Sequence, residues 1–304
     1  MKVLVTGGAG FIGSHILDKL LRENCQVVVI DNLSTGRREN VPSAAKLLEM
    51  DIACDDLTEL FKTELFDYVI HLAAQTSVPA SLNDPEHDCR INILGSVKVL
   101  DAARKFGVKR VVFSSSAAVY GDAAAVPIKE DSVLRPSSFY GLSKLTVEQY
   151  LRLYKELFDL DYAILRYANV YGERQGDNGE GGVISIFARR ILAGQSLSIF
   201  GDGGQTRDFV YVSDVADANF LALTAHGSGL TANISTATEI SINNLIEVMT
   251  DIAEKKVEKR YSVAREGDIY RSSLANDVAL ETLGWRPETR LSSGLLNTLQ
   301  AHRS

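Results

Sequence analysis

Short apolar runs alternate with amphipathic stretches along the first half of the chain. Runs rich in Val, Ile and Leu predict buried strands over residues 2–5 and 26–30, and apolar residues at helical spacing predict a helix over 15–21. The same patterns predict strands at 46–50, 68–74, 109–114 and 162–166, and helices at 57–62, 88–106 and 139–158. This alternation predicts an α/β fold built on a doubly wound parallel sheet.

The pattern becomes less regular beyond residue 166. Helices are predicted over 183–192, 215–224, 242–254 and 291–302, and strands over 197–200 and 209–212. We therefore expect a smaller α/β domain formed by 167–205 and 241–304. It is partly interleaved with a larger domain formed by 1–166 and about 206–240.

A glycine-rich segment separates the first predicted strand from the first predicted helix. Gly8, Gly10 and Gly13 have the spacing Gly-x-Gly-x-x-Gly, which is typical of loops that bind a dinucleotide. The missing Cβ atoms allow a tight turn and a close approach to a pyrophosphate, and the helix N-terminus faces the phosphates. The segment predicts a Rossmann-like cofactor site with contacts from Gly7, Gly10, Phe11, Ile12 and Gly13.

The residue that ends the second predicted strand favours NAD over NADP. Asp31 follows the last glycine by about 20 residues, where a carboxylate accepts hydrogen bonds from a ribose 2′-hydroxyl and repels a 2′-phosphate. The alternative is that Asp31 is a structural turn residue, with Arg37 and Arg38 near enough to contact a phosphate. The first interpretation predicts NAD as the cofactor.

Composition narrows the class of protein further. A chain of 304 residues with 45% hydrophobic content can bury a large core, and its net charge of −7 argues against a nucleic-acid-binding surface. The first residues lack the apolar core of a signal peptide, and no apolar stretch is long enough for a membrane span. Cys25, Cys54 and Cys89 fit neither a disulfide framework nor a metal site. We expect a cytoplasmic protein without metal, membrane or nucleic-acid partners.

The predicted helix at 139–158 has more apolar side chains than one buried face requires. They include Leu142, Leu145, Val147, Tyr150, Leu151, Leu153, Tyr154 and Phe158. One stripe is expected to cover the sheet. The other packs either against a second subunit across a two-fold axis or against the chain's own smaller domain. The first interpretation predicts a homodimer formed through the helices at about 88–106 and 139–158.

A tyrosine, a lysine and a run of three serines near the predicted carboxyl edge of the sheet suggest proton and hydride chemistry. Tyr140 and Lys144 are four residues apart on a helix and share one face, where an ammonium lowers the pKa of a phenol and makes it a usable base. Ser114, Ser115 and Ser116 end the fifth predicted strand, where a hydroxyl can bond the reacting oxygen. With the glycine loop upstream, these residues predict a catalytic Ser-Tyr-Lys set rather than a structural tyrosine.

Longer segments resemble the extended short-chain dehydrogenase/reductase family and, within it, the NAD-dependent sugar-nucleotide epimerases, nearest those acting on UDP-glucose. The matching segments are 6–13, 31–33, 51–52, 71–74, 114–121, 140–144, 165–172, 207–214 and 265–268. The likeness spans nearly the whole chain. It implies inversion at C4 of a UDP-hexose through a 4-keto intermediate, with NAD as cofactor.

The resemblance also implies a role for each matching residue. Ser116 is the catalytic hydroxyl, Tyr140 the acid and base, and Lys144 the ligand of the nicotinamide ribose. Further cofactor contacts are implied for Asn32, Asp51, Ile52, Leu72, Ala73, Ala74, Ser114 and Tyr167. Substrate contacts are implied for Ser116, Tyr140, Asn169, Arg207, Arg265, Asp268 and Ser272. The two arginines would neutralise the diphosphate, and Asp268 would bind the uridine ribose.

Three alternative functions compete with the predicted 4-epimerase activity. Dehydratases and decarboxylases of the family carry an acidic residue soon after the catalytic hydroxyl, where this chain has Ala117 and Ala118, which argues against those reactions. A UDP-glucuronate 4-epimerase is the nearest competing enzyme. An NAD-sensing scaffold is the non-enzymatic alternative, and the complete Ser-Tyr-Lys set speaks against it.

The resemblance further suggests which sugars are accepted. Ser272 aligns with a position where epimerases restricted to UDP-glucose and UDP-galactose tend to have a tyrosine against the C2 substituent. A serine leaves room for an N-acetyl group, so we hypothesise that both the plain and the N-acetylated sugar pairs are substrates. A shift of one residue would place Arg271 or Ser273 at this wall instead.

Overall fold

The computed structural model describes residues 1–123, 125–176, 182–264 and 269–303. Its strands are β1 (Lys2–Thr6), β2 (Gln26–Asp31), β3 (Lys46–Glu49), β4 (Tyr68–His71), β5 (Arg110–Ser116), β6 (Asp161–Tyr167), β7 (Asn169–Tyr171), β8 (Leu197–Phe200), β9 (Thr206–Arg207), β10 (Phe209–Tyr211), β11 (Leu230–Ile234), β12 (Ile240–Ser241) and β13 (Lys259–Ser262). Its α-helices are α1 (Phe11–Arg22), α2 (Thr58–Glu64), α3 (Val78–Asn83), α4 (Pro85–Asp88), α5 (Ser96–Lys105), α6 (Phe139–Phe158), α7 (Val183–Leu192), α8 (Val212–Thr224), α9 (Ile242–Ala253), α10 (Asp277–Leu283) and α11 (Leu291–Ala301).

Seven parallel strands form the main sheet, in the order β11-β6-β5-β4-β1-β2-β3. The chain runs outward from β1 to β3 and then returns to β4 on the other side of β1, so the strand order reverses between β1 and β4. In open α/β sheets, ligands bind outside the carboxyl ends of the strands at such a reversal. The predicted α/β fold with a doubly wound parallel sheet is confirmed.

Helices cover both faces of this sheet. On one face, buried side chains of α1 and α8 pack on the strands, including Leu17, Leu20 and Val215. On the other face, α2, α5 and α6 contribute Phe61, Leu100 and Leu151 among others. Because both faces are buried, the central strands are nearly continuous apolar runs, which is why their positions could be predicted.

A third core lies outside the main sheet. It is formed by buried residues of α7, α9 and α11 with β7, β8 and β10, such as Phe187, Leu245 and Leu295. This is the smaller α/β unit expected from the second half of the chain. The boundaries at 166/167, 205/206 and 240/241 stay a prediction.

The prediction of one continuous helix over 88–106 is wrong. The α-helix α4 ends at Asp88, residues Cys89–Gly95 form a π-helix, and α5 begins at Ser96. A π-helical turn contains an extra residue and so changes which side chains face the neighbouring helix. Here the wider turn places Asn92 against α6, where its side chain donates a hydrogen bond to Ser143 (3.0 Å).

One apolar face of α6 is not covered by the described chain. Val147 and Leu151 are buried against the sheet. On the opposite side, the following side chains are each at least one-third exposed: Phe139, Leu142, Tyr150, Leu153 and Leu157. Of the two interpretations of the second stripe, packing against the chain's own smaller domain is therefore not what the described residues show.

Candidate active site

The glycine loop lies between β1 and α1 and forms a narrow cradle. Gly7 has a φ of +70°, which glycine adopts without strain, and a Cβ at this position would lie 2.7 Å from the backbone nitrogen of Ala73. A Cβ at Gly13 would collide with the carbonyl oxygen of Gly7. Gly10 is the N-cap of α1, which Phe11 and Ile12 begin. The first N–H groups of this helix have no helical partner and can bind an anion.

The carboxylate of Asp31 is fixed at the end of β2. Its Oδ2 accepts a hydrogen bond from the Ala9 amide (3.0 Å), and its Oδ1 accepts one from the Leu33 amide (2.8 Å). Burial raises the pKa of Asp31, and these two hydrogen bonds oppose that rise. A Cβ at Gly36 would lie 2.9 Å from Oδ1, so the space beside the carboxylate is small. This environment suits a ribose hydroxyl better than an additional phosphate.

The other predicted cofactor residues lie on either side of β1. Asn32 donates a side-chain hydrogen bond to Asp51 (3.0 Å), next to the buried Ile52. On the opposite side, the amides of Leu72 and Ala73 donate to the hydroxyl of Thr6 (3.2 and 3.1 Å), and Ala74 follows them. Since β2 and β4 both pair with β1, the two groups flank the glycine loop at one edge of the sheet.

The predicted Ser-Tyr-Lys residues are brought together at this same edge. The N-cap of α6 is Ser138, so Tyr140 and Lys144 lie in its first two turns, beside the end of β5. The side chain of Ser116 lies near enough to the Tyr140 phenol to act on its pKa in the lowering direction. The Nζ of Lys144 donates to the carbonyl of Ser114 (2.8 Å) and lies 5.8 Å from the centre of the Tyr140 ring. The side-chain constellation that the sequence predicted is therefore present.

The pKa of Tyr140 differs from the sequence-based prediction. Burial raises the pKa of Tyr140 and exceeds the opposing effect of the Ser116 side chain, and the charge of Asp88 adds to the rise. The predicted lowering of the Tyr140 pKa by Lys144 is therefore not seen in the protein alone, because desolvation of the phenolate is the larger effect. Burial lowers the pKa of Lys144 to about 8, and Asp88 opposes this lowering.

Two further predicted residues follow from β6. Its last residue, Tyr167, pairs in register with Ser116 of β5 and is buried, with its hydroxyl donating to Asn219 (3.0 Å). Asn169 comes two residues later and is exposed, and its side chain donates to the carbonyl of Asp208 (3.2 Å). Tyr167 thus lines the carboxyl edge beside Ser116, while Asn169 lies at the surface next to it.

The predicted substrate residues are described only in part. Arg207 lies in β9 and donates to the carbonyl of Thr206 (2.8 Å). Ser272 is half-buried. Arg265 and Asp268 lie outside the described residues, so their predicted contacts with the diphosphate and the uridine stay predictions.

A cavity of ≈ 330 Å³ lies in the smaller unit, close in sequence to Arg207. It is lined by Phe200, Gly201, Asp202, Gln205, Ala264, Ile269 and Tyr270. Aromatic walls with a few polar groups are typical of small-molecule sites. This cavity could not be predicted from the sequence, because its walls come from separate segments whose positions depend on the fold.

A buried polar cluster beside α6 was also missed. Asp88 and Asn92 lie four residues apart and share a hydrogen bond (3.1 Å), and Gln75 donates to the same Asp88 oxygen (2.9 Å). Asn92 connects the cluster to Ser143, between Tyr140 and Lys144. The spacing of Asp88 and Asn92 on one helical face was the signal in the sequence that could have suggested it.

Two features are absent from the described residues. None of the helices in the described ranges is long and apolar enough to cross a membrane. No group of three or more His, Cys, Asp or Glu side chains in the same ranges is arranged to hold a metal ion.

A doubly wound sheet with a glycine cradle, a fixed acidic residue at the end of β2 and a Ser-Tyr-Lys set defines a dinucleotide-dependent enzyme. The sequence model of the NAD dependent epimerase/dehydratase family matches residues 3–235. The chain belongs to this family, whose cofactor is NAD.

Proteins named as 4-epimerases of UDP-sugars are similar to this chain over nearly its whole length. The chain is 47% identical over 294 residues to a putative UDP-glucose 4-epimerase of Methanocaldococcus jannaschii, covering 96% of this chain and 95% of that protein. A UDP-glucose 4-epimerase of Thermotoga maritima, solved with UDP-glucose, has a TM-score of 0.97 at 42% identity and covers 100% and 99% of the two chains. A UDP-N-acetylglucosamine 4-epimerase of Methanobrevibacter ruminantium, solved with UDP-N-acetylmuramic acid, has a TM-score of 0.94 at 38% identity and covers 99% and 97%.

Proposed function

We propose that this protein inverts the configuration at C4 of a UDP-hexose and so interconverts UDP-glucose and UDP-galactose. The observation that carries the proposal is the convergence of Ser116, Tyr140 and Lys144 at the carboxyl edge of the sheet, beside the glycine cradle. Membership of the NAD dependent epimerase/dehydratase family and the 4-epimerases among the similar proteins support it.

The residues around the cradle fit NAD. The space that Gly7 and Gly13 keep free of side chains admits a pyrophosphate at the N-terminus of α1. Asp31 would bind the adenosine ribose, and Lys144 the nicotinamide ribose. When bound, NAD accepts the hydride from C4 of the sugar and later returns it to the opposite face.

Tyr140 and Ser116 manage the proton in this reaction. Tyr140 removes the proton of the sugar 4-hydroxyl as the hydride leaves C4, and it returns that proton when the hydride comes back. Ser116, whose side chain lies near the Tyr140 phenol, bonds the reacting oxygen and keeps it in line with the phenol. The charge of Lys144 stabilises the Tyr140 phenolate, which is the form that accepts this proton and becomes a phenol. Ala117 and Ala118 supply no further acid or base, so the 4-keto sugar is reduced rather than dehydrated.

The smaller unit supplies the contacts with the nucleotide. We assign 167–205 and 241–304 to sugar-nucleotide binding, with Asp268 binding the uridine ribose. Arg265 of this unit and Arg207, from the adjoining segment of the larger domain, neutralise the diphosphate. The cavity beside Phe200 and Tyr270 is suited to the base, since it combines aromatic surface with the polar side chain of Gln205. Asn169, at the edge of the sheet, would contact the sugar-nucleotide.

The proposal extends to N-acetylated UDP-sugars as substrates. Ser272 would face the C2 substituent, and a serine leaves space for an N-acetyl group. The similarity to a UDP-N-acetylglucosamine 4-epimerase supports this extension.

For assembly we propose a homodimer in which the exposed face of α6 packs against the same face of a second copy, because an isologous interface buries the apolar stripe on both subunits at once.

The test is a coupled assay of UDP-galactose formation from UDP-glucose by wild-type protein and Tyr140→Phe. The variant removes the proton acceptor but little volume, so we expect kcat to fall by about 100-fold or more while UDP-glucose binding, measured by calorimetry, is nearly unchanged. Tyr154→Phe makes the same change on the same helix, away from Ser116, and should keep full activity. Normal turnover by Tyr140→Phe, or turnover of UDP-glucuronate alone by wild type, would contradict the proposal.

A further inference from the structure

A buried carboxylate connects the two segments that carry Arg207 and Ser272. Asp208 is the single residue between β9 and β10, and these two strands pair with different partners, β12 and β7. Its side chain is 1% exposed. Burying a carboxylate is costly unless hydrogen bonds compensate, so the presence of an aspartate at this junction requires an explanation.

Four hydrogen bonds fill the acceptor positions of the Asp208 carboxylate. Its Oδ1 accepts from the amide and the hydroxyl of Thr236 (2.9 and 2.7 Å), two residues after β11. Its Oδ2 accepts from the hydroxyl of Ser273 and the amide of Leu274 (3.2 and 3.3 Å). A carboxylate has about four such positions, so this set uses all of them. Asp208 therefore joins the end of a main-sheet strand to the segment that follows Ser272.

The backbone of Asp208 makes a connection to a third segment. Its carbonyl accepts from the amide (3.0 Å) and from the side chain (3.2 Å) of Asn169, the first residue of β7. The residue assigned to the sugar-nucleotide at the sheet edge is thus bonded to the same aspartate as Ser273.

A second bridge lies beside the Asp208 bridge. The hydroxyl of Thr206 donates to Glu239 (2.5 Å), and the same carboxylate accepts two hydrogen bonds from Arg271 (3.1 and 2.5 Å). The amide of Thr206 also donates to the carbonyl of Tyr270 (2.8 Å). Thr206 precedes Arg207, so this bridge joins the same two segments one residue earlier in each.

Both chain neighbours of Arg207 are therefore connected to both chain neighbours of Ser272, one pair through Glu239 and the other through Asp208. Bridges on both sides of a residue restrain its direction as well as its distance, which is how supporting hydrogen bonds fix a binding site. The bridge through Glu239 ends on an exposed arginine, Arg271, and exposed ion pairs contribute little. The buried bridge through Asp208 is thus the stronger restraint.

We propose that Asp208 is a positioning residue that fixes the spacing between Arg207, at the diphosphate, and Ser272, at the sugar wall. It acts through its neighbours and does not itself contact the substrate. If the sugar wall moved by 1 Å relative to Arg207, C4 would be displaced from Tyr140, and a displacement of this size lowers turnover by about 100-fold. The mechanistic part of this inference rests on the proposed function.

Asp208→Asn is the direct test of the bridge. An asparagine has one acceptor oxygen and a nitrogen that donates, so at least two of the four donors lose their partner. Asp214→Asn is the matched control. It makes the same change at a buried carboxylate that also accepts from the amide and the hydroxyl of one threonine, Thr289 (3.1 and 3.0 Å), away from the residues assigned to the substrate.

Amide hydrogen exchange of ligand-free protein measures whether the bridge fixes the wall segment. In Asp208→Asn we expect exchange over residues 270–276 to become faster by on the order of 10-fold, because the segment opens locally at lower cost. Asp214→Asn should leave exchange in this segment unchanged. Wild-type exchange rates in folded Asp208→Asn protein, or an equal increase in Asp214→Asn, would overturn the proposal.

A second pair of variants separates positioning from general stabilisation of the fold. Ser273→Ala and Thr236→Val each remove one hydroxyl that donates to the Asp208 carboxylate, but only Ser273 adjoins the sugar wall. UDP lacks the hexose, so its affinity, measured by calorimetry, reports the nucleotide contacts alone. The kcat/KM for UDP-glucose reports the sugar wall as well.

We expect Ser273→Ala to lower kcat/KM for UDP-glucose by about 10-fold and to change UDP affinity by less than about twofold. Thr236→Val should keep both quantities near wild type. Equal effects of the two substitutions on kcat/KM, whether large or absent, would overturn the proposal, because Asp208 would then act on the fold alone. If wild-type protein turns over no UDP-glucose, the proposed function fails, while the exchange experiment still decides whether Asp208 fixes the segment of Ser272.

Discussion

At the scale of single residues, the neighbours of Ser272 limit which side chain can form the sugar wall. Arg271 is paired with Glu239 through two hydrogen bonds. Ser273 is buried and donates to Asp208 (3.2 Å). The residues on both sides are thus engaged elsewhere, which supports the alignment that assigns Ser272 to the sugar.

We therefore expect Ser272→Tyr to lose activity on UDP-N-acetylglucosamine and to keep activity on UDP-glucose. The phenol ring would fill the space of the acetyl group but leave room for a 2-hydroxyl, and exclusion by pocket size costs about 10- to 200-fold in kcat/KM per displaced group. The two sugars should be supplied together in one assay. Ser292→Tyr, at the start of α11, introduces the same side chain at an exposed position as the control. Absence of wild-type activity on the acetylated sugar would contradict the hypothesis.

Some residues could be predicted because their chemistry depends on spacing within one segment. The glycines of the loop and the pair Tyr140 and Lys144 belong to this class, since three or four residues along a turn or helix fix their relative positions. The hydrogen bond that joins Asn92 to Ser143 could not be predicted, because it depends on how the π-helix packs against α6. The direction of the Tyr140 pKa was predicted wrongly for the related reason that burial is a property of the fold.

At the scale of elements, α6 is held in register with the sheet by a buried ion pair. Arg166 of β6 donates two hydrogen bonds to Glu148 of α6 (2.9 and 2.6 Å), and Ser115 of β5 donates to the same carboxylate (2.7 Å). Both charged side chains are almost completely buried. Because Glu148 lies one turn after Lys144, this pair connects the catalytic helix to the two strands that carry Ser116 and Tyr167.

Glu148→Gln should lower the free energy of unfolding by about 3–5 kcal/mol, because it leaves the guanidinium of Arg166 buried without its counter-charge. The comparison is Glu49→Gln, which makes the same change in the exposed pair with Arg38 and should cost less than about 1 kcal/mol. Urea unfolding followed by circular dichroism measures both. Equal effects of the two substitutions would show that the buried pair does not fix α6.

The lengths of the elements were predicted well only where packing agrees with local preference. The helix α6 has the predicted bounds, because Ser138 caps its N-terminus and the apolar spacing continues to Phe158. The edge strand β11 was missed, since Leu230–Ile234 is recognised as a strand only through its pairing with β6. The π-helix at Cys89–Gly95 was missed because hydrophobic spacing cannot distinguish it from an α-helix over seven residues.

At the scale of the whole molecule, the inner side of α6 faces the catalytic edge of the main sheet, and its outer side is an exposed apolar face. Lys144, Val147 and Leu151 face inward, while Leu142, Leu153 and other apolar side chains remain exposed. A contiguous apolar face of this kind typically marks a protein–protein contact. An interface there would restrain the outer side of the helix whose inner side carries Tyr140, so assembly and activity are expected to be linked.

We therefore expect wild-type protein to be a dimer in sedimentation velocity, and Leu153→Glu to be monomeric, because a charge at the centre of the stripe would be buried without a partner in each of two equivalent positions. Leu280→Glu is the control, since Leu280 is similarly exposed on α10 but lies outside the stripe. We also expect the Leu153→Glu monomer to lose thermal stability, as α6 then exposes its apolar face to water. A wild-type monomer, or a Leu153→Glu dimer, would contradict this interface and leave the apolar face of α6 to a different partner.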